Sequence, residues 1–118
     1  MSNLIFVYGT LRSTESRSSV LTNSKFIGEY KSLQKYTMVN LGNFPGIFDE
    51  GTTQIFGEVY SVDNDVLETL DRIEGHPDFY QRKPILLSNF NKTVFAYFLE
   101  KDRYHSYPLI ESGNWLLR

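Results

Sequence analysis

Glu74 ends the segment Leu70-Asp71-Arg72-Ile73-Glu74-Gly75, and its place in that segment turns an acid toward apolar neighbours. At about 100° per residue with Leu67 as zero, Leu70 falls near −60°, Val66 near −100° and Ile73 near −120°. Glu74 falls about 20° from Leu67, on the edge of this stripe, whereas Glu68 and Asp71 fall roughly 100° and 40° to its other side. Burial disfavours the charged carboxylate, and the carbonyl end of a helix adds negative potential; both raise the pKa. A carboxyl tuned toward neutrality can take a proton and return it, which is general acid–base chemistry. The plainer outcome at this position is a last-turn Glu that bends out to solvent or pairs with Arg72 or Arg82.

A second candidate is Tyr8-Gly9-Thr10-Leu11-Arg12, a glycine turn directly after an apolar run. If Gly9 adopts left-handed geometry, successive backbone N–H groups can point one way and hold a carboxylate or an oxyanion. The alternative is an ordinary strand-to-loop turn. The segment has neither the Gly-Lys-Ser/Thr of a phosphate loop nor the longer dinucleotide fingerprint. His76 and His105 stand far apart with no second ligand at metal spacing, so no metal site is expected. No Ser occupies a Gly-x-Ser-x-Gly elbow.

Several elements must position these residues. Asn3 to Tyr8 reads as a strand buried on both faces and central in its sheet. Glu15 to Asn23 suggests a short helix, and Phe26 to Tyr30 and Lys35 to Leu41 suggest strands. Gly42 to Gly46 has loop chemistry, and Asp49-Glu50-Gly51 signals a further turn. Gln54 to Val62 reads as a strand interrupted at Gly57 by a bulge or a close backbone approach. Asp63 to Gly75 carries the strongest helix signal, with Asp63 as N-cap and Gly75 as C-terminal stop. Gln81 to Leu87 and Thr93 to Leu99 form a hairpin about Asn89-Phe90-Asn91. Many short strands with one or two helices argue for an α+β domain with a mixed sheet.

The 118 residues fit one domain spanning 1–118, and 41% hydrophobic residues suffice for its core without staples. Cys is absent, which excludes thiol catalysis, thiolate metal sites and disulfides. A net charge of −2, with no basic residues interleaved among the 15% aromatics, argues against a nucleic-acid partner. No apolar run is long enough to span a membrane, and the N-terminus lacks a signal peptide's features. A soluble, cytoplasmic protein, favoured as a monomer, is the expectation.

Val7-Tyr8-Gly9-Thr10-Leu11-Arg12, Gly57-Glu58-Val59-Tyr60 and Leu70 to Gly75, followed by Phe79-Tyr80-Gln81-Arg82, occur in one order. Together they resemble the gamma-glutamyl cyclotransferase-like family, most closely its gamma-glutamylamine cyclotransferase branch. The resemblance implies a small mixed β-barrel flanked by a few helices, with a pocket at one barrel end. It implies Glu74 as the general acid/base and Tyr8, Gly9, Thr10 and Leu11 as the loop that binds a glutamyl group through its backbone. Pro45, Tyr80 and Tyr97 are implied as further substrate-binding residues. The implied reaction closes a gamma-glutamyl compound to 5-oxoproline, expelling an amine or amino acid without a cofactor; the alternative is a non-catalytic binder of the same ligands. Phe44, Pro45, Tyr80 and Tyr107 are the expected walls around the leaving amine. With no Arg cluster evident to grip carboxylates, gamma-glutamylamines such as gamma-glutamyl-ε-lysine are expected to be favoured over glutathione.

These expectations yield a first prediction, that turnover persists at full rate in excess chelator. Loss on chelation, restored by an added metal, contradicts it.

Overall fold

Phe6 and Tyr8 pack in one hydrophobic cluster, whereas Ile5 and Val7 pack in a second on the opposite face. In the computed structural model, which describes residues 3–13 and 15–118, the strand β1 (Asn3–Val7) thus divides the core in two. Its side chains alternate because strand geometry sends neighbours to opposite faces. After a 3-10 turn (Ser18–Leu21) come β2 (Lys25–Lys31), β3 (Tyr36–Asn40), β4 (Pro45–Thr53) and β5 (Phe56–Val62). The chain continues through α1 (Asn64–Glu74), β6 (Gln81–Ile85), β7 (Val94–Phe98), the short α2 (Lys101–Tyr104) and a closing 3-10 turn (Trp115–Leu117).

Five strands form one sheet in the order β2-β5-β1-β7-β6, and β3 pairs with β4 in a separate ladder. β1 runs parallel to β7 and antiparallel to β5, so the sheet is mixed, and the α+β class stands as expected. The implied barrel does not close. The sheet curls until its outer strands approach, but among the described residues they are joined beyond their ends by no more than the Ser32–Leu87 bridge, flanked by Leu33 N–H to Leu86 O at 3.0 Å and Ser88 N–H to Lys31 O at 2.8 Å.

α1 starts and stops where the cap residues place it. The Asp63 carboxylate accepts from Val66 N–H at 2.8 Å, and Gly75 adopts φ 68°, ψ 34°, the left-handed cap that glycine takes without strain. β4 departs from the sequence reading. Pro45 and Gly46 belong to the strand rather than the preceding loop, and Asp49-Glu50-Gly51 is an excursion inside β4 rather than a turn between strands. Tyr36 pairs with Thr53 while the next residue, Thr37, pairs with Phe48, so residues 49–52 are thrown out of the ladder. Gly51, at φ 136°, supplies the backbone angle this excursion needs.

Gly57 marks a close approach and not a bulge. A Cβ there would run into the Val7 carbonyl oxygen and the Phe6 ring, whereas the irregularity in this sheet lies in β2, between Phe26 and Gly28. Because backbone atoms cannot yield as a flexible side chain can, Gly57→Ala is expected to destabilise the fold by about 2–4 kcal/mol. Urea denaturation reads this directly, and a change below roughly 0.5 kcal/mol contradicts it.

Candidate active site

The end of β1, the start of β4, the end of α1, the turn that leads into β6 and the strand β7 converge on a cavity of about 140 Å³, on the order of the space that holds a single small ring. Tyr8, Gly9, Thr10 and Leu11 line one side, Pro45 beside Phe44 another, and Glu74, Tyr80 and Tyr97 close it. Of the site residues expected from the sequence, all but Tyr107 border this one cavity.

Glu74 neither bends away nor pairs with an arginine. Arg72 donates to Thr69 Oγ1 at 3.3 Å, and Arg82 forks onto Asp71, Nε to Oδ1 at 3.0 Å and Nη2 to Oδ2 at 3.2 Å. The Tyr97 hydroxyl donates to the same Oδ1 at 2.7 Å. Asp71, three residues earlier on α1, therefore takes the partners that Glu74 lacks. Among the described residues the Glu74 carboxyl enters no side-chain hydrogen bond or ion pair. Burial pushes its pKa from 4.5 up to about 7, against a smaller opposite pull from the Arg17 charge.

The three tyrosines of the wall are occupied donors. Tyr8 Oη donates to the Tyr97 carbonyl at 2.6 Å, and Tyr80 Oη donates to the Pro45 carbonyl at 2.6 Å. Burial raises the pKa of Tyr8, Tyr80 and Tyr97, Glu74 adds to the rise in each, and at Tyr97 the hydrogen bond to Asp71 contributes as well. They remain phenols with committed protons, which leaves Glu74 as the wall carboxyl poised to exchange one near neutrality.

The Tyr8–Leu11 loop works by a different geometry from the left-handed turn suggested by Gly9. Gly9 is not among the positive-φ glycines; instead, a Cβ on it would lie 2.8 Å from the Pro45 ring, so glycine is needed for close packing. The Gly9 carbonyl accepts from Arg12 N–H at 3.0 Å and the Thr10 carbonyl from Arg17 N–H at 2.8 Å, but the Gly9, Thr10 and Leu11 N–H groups donate to no described residue. They are available to an anion. The loop is held from below by a buried pair: Arg12 Nε lies 3.6 Å from Glu58 Oε2, and Glu58 accepts from Ser13 N–H at 2.9 Å and Tyr60 Oη at 3.0 Å.

Arg17 and Phe79 also line the cavity, and sequence reasoning missed both. Arg17 follows a polar stretch with no periodicity, and its backbone bond to Thr10 ties it to the loop of the site. Phe79 stacks edge-on against Tyr80 at 4.9 Å and Tyr104 at 5.7 Å between ring centroids. Tyr107 does not border the cavity; it is exposed and sits outside against Tyr104, 5.9 Å between centroids.

A carboxyl whose folded pKa exceeds its unfolded value loses its proton first in the unfolded chain. Rising pH therefore erodes stability between about 4.5 and about 7, and the loss is complete above that range. Glu74→Gln, neutral throughout, is expected to match the wild type near pH 4 and to exceed its stability above pH 8 by on the order of 1–3 kcal/mol. Chemical denaturation at the two pH values checks this, and a pH-independent difference contradicts it.

The sequence and the fold both have known counterparts. A profile described as Gamma-glutamyl cyclotransferase, AIG2-like matches residues 5–117. A protein of Vibrio cholerae, provisionally named a gamma-glutamylcyclotransferase, is 39% identical over 118 residues, covering 100% of this chain and 99% of that one. A Danio rerio protein named gamma-glutamylaminecyclotransferase A is 37% identical over 92 residues, 70% of this chain and 57% of its own length. Among solved structures, an AIG2-like protein of Mus musculus superposes with a TM-score of 0.82 at 26% identity, covering 94% of this chain and 87% of that one. With the profile spanning nearly the whole chain and a relative matching end to end, the chain belongs to the gamma-glutamyl cyclotransferase, AIG2-like family.

Proposed function

We propose that the chain is a gamma-glutamyl cyclotransferase that converts a gamma-glutamylamine, such as gamma-glutamyl-ε-lysine, or a gamma-glutamyl amino acid to 5-oxoproline and the free amine. The observation that carries this reading is a half-buried carboxyl whose desolvation pushes its pKa up to about 7, in the same small cavity as the uncommitted N–H groups of Gly9, Thr10 and Leu11. The family membership and the names of the relatives support the reaction class.

The nucleophile comes with the substrate. A free α-amine has a pKa of about 8 and is mostly protonated at neutral pH, so the Glu74 carboxylate first draws off a proton and passes it to solvent, which returns Glu74 to its carboxylate form. The neutral nitrogen attacks the gamma-carbonyl carbon, and the carbonyl electrons move onto oxygen, where N–H groups of the Gly9–Leu11 loop can receive the charge. Glu74 then takes the second proton, which this nitrogen sheds on becoming a lactam, and delivers it to the departing nitrogen as the carbonyl re-forms and the old C–N bond breaks. One carboxyl serves both transfers because its pKa lies between those of an ordinary acid and the amine. A cavity that holds the glutamyl chain bent for ring closure adds orientation, worth up to roughly 7–11 kcal/mol in ideal cases.

Two results are expected. Glu74→Gln keeps its circular dichroism but loses at least about a hundredfold in turnover, and wild-type kcat/KM rises with pH on a limb near 7. The assay follows 5-oxoproline from gamma-glutamyl-ε-lysine and gamma-glutamyl-alanine, with the α-N-acetyl analogue as control. Turnover of the variant within tenfold of wild type removes Glu74 from the mechanism, and turnover of the acetylated compound removes attack by the α-amine.

A further inference from the structure

Of the residues that line the cavity, Arg17 is the exposed one; Tyr8, Gly9, Leu11, Pro45, Tyr80 and Tyr97 are buried. It marks the solvent end. Its backbone N–H is tied to the Thr10 carbonyl at 2.8 Å, which fixes the residue beside the loop. The ion pairs of the described residues are Arg12–Glu58, Arg82–Asp71 and Lys101–Glu50, so the Arg17 guanidinium has no carboxylate of its own among them. An unpaired arginine at the rim of an otherwise enclosed site is a fork for a planar anion. The same cavity has an aromatic, half-buried part: Phe44 and Phe79 both line it, 6.1 Å apart between ring centroids, and Tyr104 packs against Phe79.

We infer that Arg17 binds a carboxylate on the departing half of the substrate, two bonds from the scissile nitrogen, while Phe44 and Phe79 take an apolar side chain. The substrates this rim selects are then gamma-glutamyl derivatives of bulky apolar α-amino acids rather than simple gamma-glutamylamines. The inference rests on the cyclotransferase reading above, because that reading fixes which half of the substrate lies where. The glutamyl α-amine must reach Glu74, so the glutamyl half occupies the enclosed end and its charges fall to the loop N–H groups. A cavity of about 140 Å³ holds little beyond that half, so the leaving nitrogen sits at the rim. A carboxylate attached there through a single carbon falls beside Arg17. The carboxylate of an ε-linked lysine, four methylenes further out, does not. The charge of Arg17 is felt by both Glu74 and Tyr80, on which it acts to lower the pKa, consistent with a position over the mouth.

The test uses two substrates that differ only in the carboxylate, gamma-glutamyl-phenylalanine and gamma-glutamyl-phenethylamine. Wild type is expected to favour the former by about tenfold in kcat/KM, mainly through KM, after allowance for solvent screening. Arg17→Gln is expected to bring the ratio within about twofold of unity, and Arg17→Lys to restore part of it, since the charge remains but the fork is lost. A ratio that is the same in wild type and Arg17→Gln overturns the inference. That includes the case where both substrates weaken equally, which assigns Arg17 to the glutamyl half. Gamma-glutamyl-alanine is expected to be poorer than the phenylalanine compound, and equal kcat/KM overturns the aromatic part. Calorimetric affinities for the same pair in Glu74→Gln, with and without Arg17→Gln, separate this inference from the reading beneath it. A carboxylate preference that depends on Arg17 without wild-type turnover supports the rim site and rejects the cyclotransferase, whereas normal turnover with no such preference does the reverse.

Discussion

Everything at the site follows from the desolvation of one carboxyl. Glu74 and Asp71 lie on the same helix less than a turn apart, yet the chain supplies Asp71 with Arg82 and the Tyr97 hydroxyl and supplies Glu74 with neither. Two acids in neighbouring positions are thereby given opposite environments, one compensated by partners and one half-buried and desolvated without any. The Asp71 network has a second effect. Joining α1 to β6 and β7, it fixes the last turn of the helix against the sheet, and the direction of Glu74 with it. The stabilised acid holds the destabilised one in place.

The loop opposite Glu74 depends on a comparable trade. Arg12 and Glu58 are only 5% and 4% exposed, and a buried ion pair is weak evidence for stability, because desolvating both charges offsets their attraction. What this pair does is geometric. Val7 and Glu58 are partners in the β1–β5 register, so Glu58 lies beneath the point where the chain leaves β1 for the loop. It receives Arg12 and Ser13 from the loop's far end, and Arg12 Nη1 donates to Asn114 Oδ1 at 2.9 Å, bringing in the C-terminal segment. Both ends of the Tyr8–Leu11 loop are thus fixed to one strand, while the N–H groups between them stay uncommitted.

Features set by residues close in sequence were legible before the structure. Asp63 and Gly75 cap α1 because a side-chain acceptor and a left-handed glycine act locally, and the alternation of β1 needs only strand geometry. Glu74 could be picked out because helical periodicity alone puts it beside the apolar stripe. What could not be read depended on partners distant in the chain. The Asp-Glu-Gly of residues 49–51 carries a turn signal whichever way the strand resumes, and only pairing with β3 makes it an excursion within β4. Gly9 looked like a positive-φ glycine when its reason is the Pro45 ring. The tyrosines were recognisable as wall residues, but not that their hydroxyls would be spent on the Tyr97 and Pro45 carbonyls and on Asp71. Arg17 gave no local signal at all, since a lone cation in a polar loop has the same pattern whether it faces bulk water or a cavity.

The turn after α1 explains why so few residues suffice to build the site. A helix ends with carbonyls that need donors, and here the Gly75 carbonyl accepts from Phe79 N–H at 2.8 Å and the Glu74 carbonyl from Tyr80 N–H at 3.2 Å. The residues that cap the helix are the residues that wall the cavity. Once the chain has turned at Gly75 to satisfy its own backbone, Phe79 and Tyr80 are delivered beside the Glu74 side chain. Tyr80 then reaches across to the Pro45 carbonyl and completes the enclosure. Capping, enclosure and the raised pKa of Glu74 are three consequences of one local hydrogen-bonding requirement. A change that frays the end of α1 therefore rehydrates Glu74 as well, returning its pKa toward that of an ordinary carboxylic acid before the rest of the sheet is disturbed.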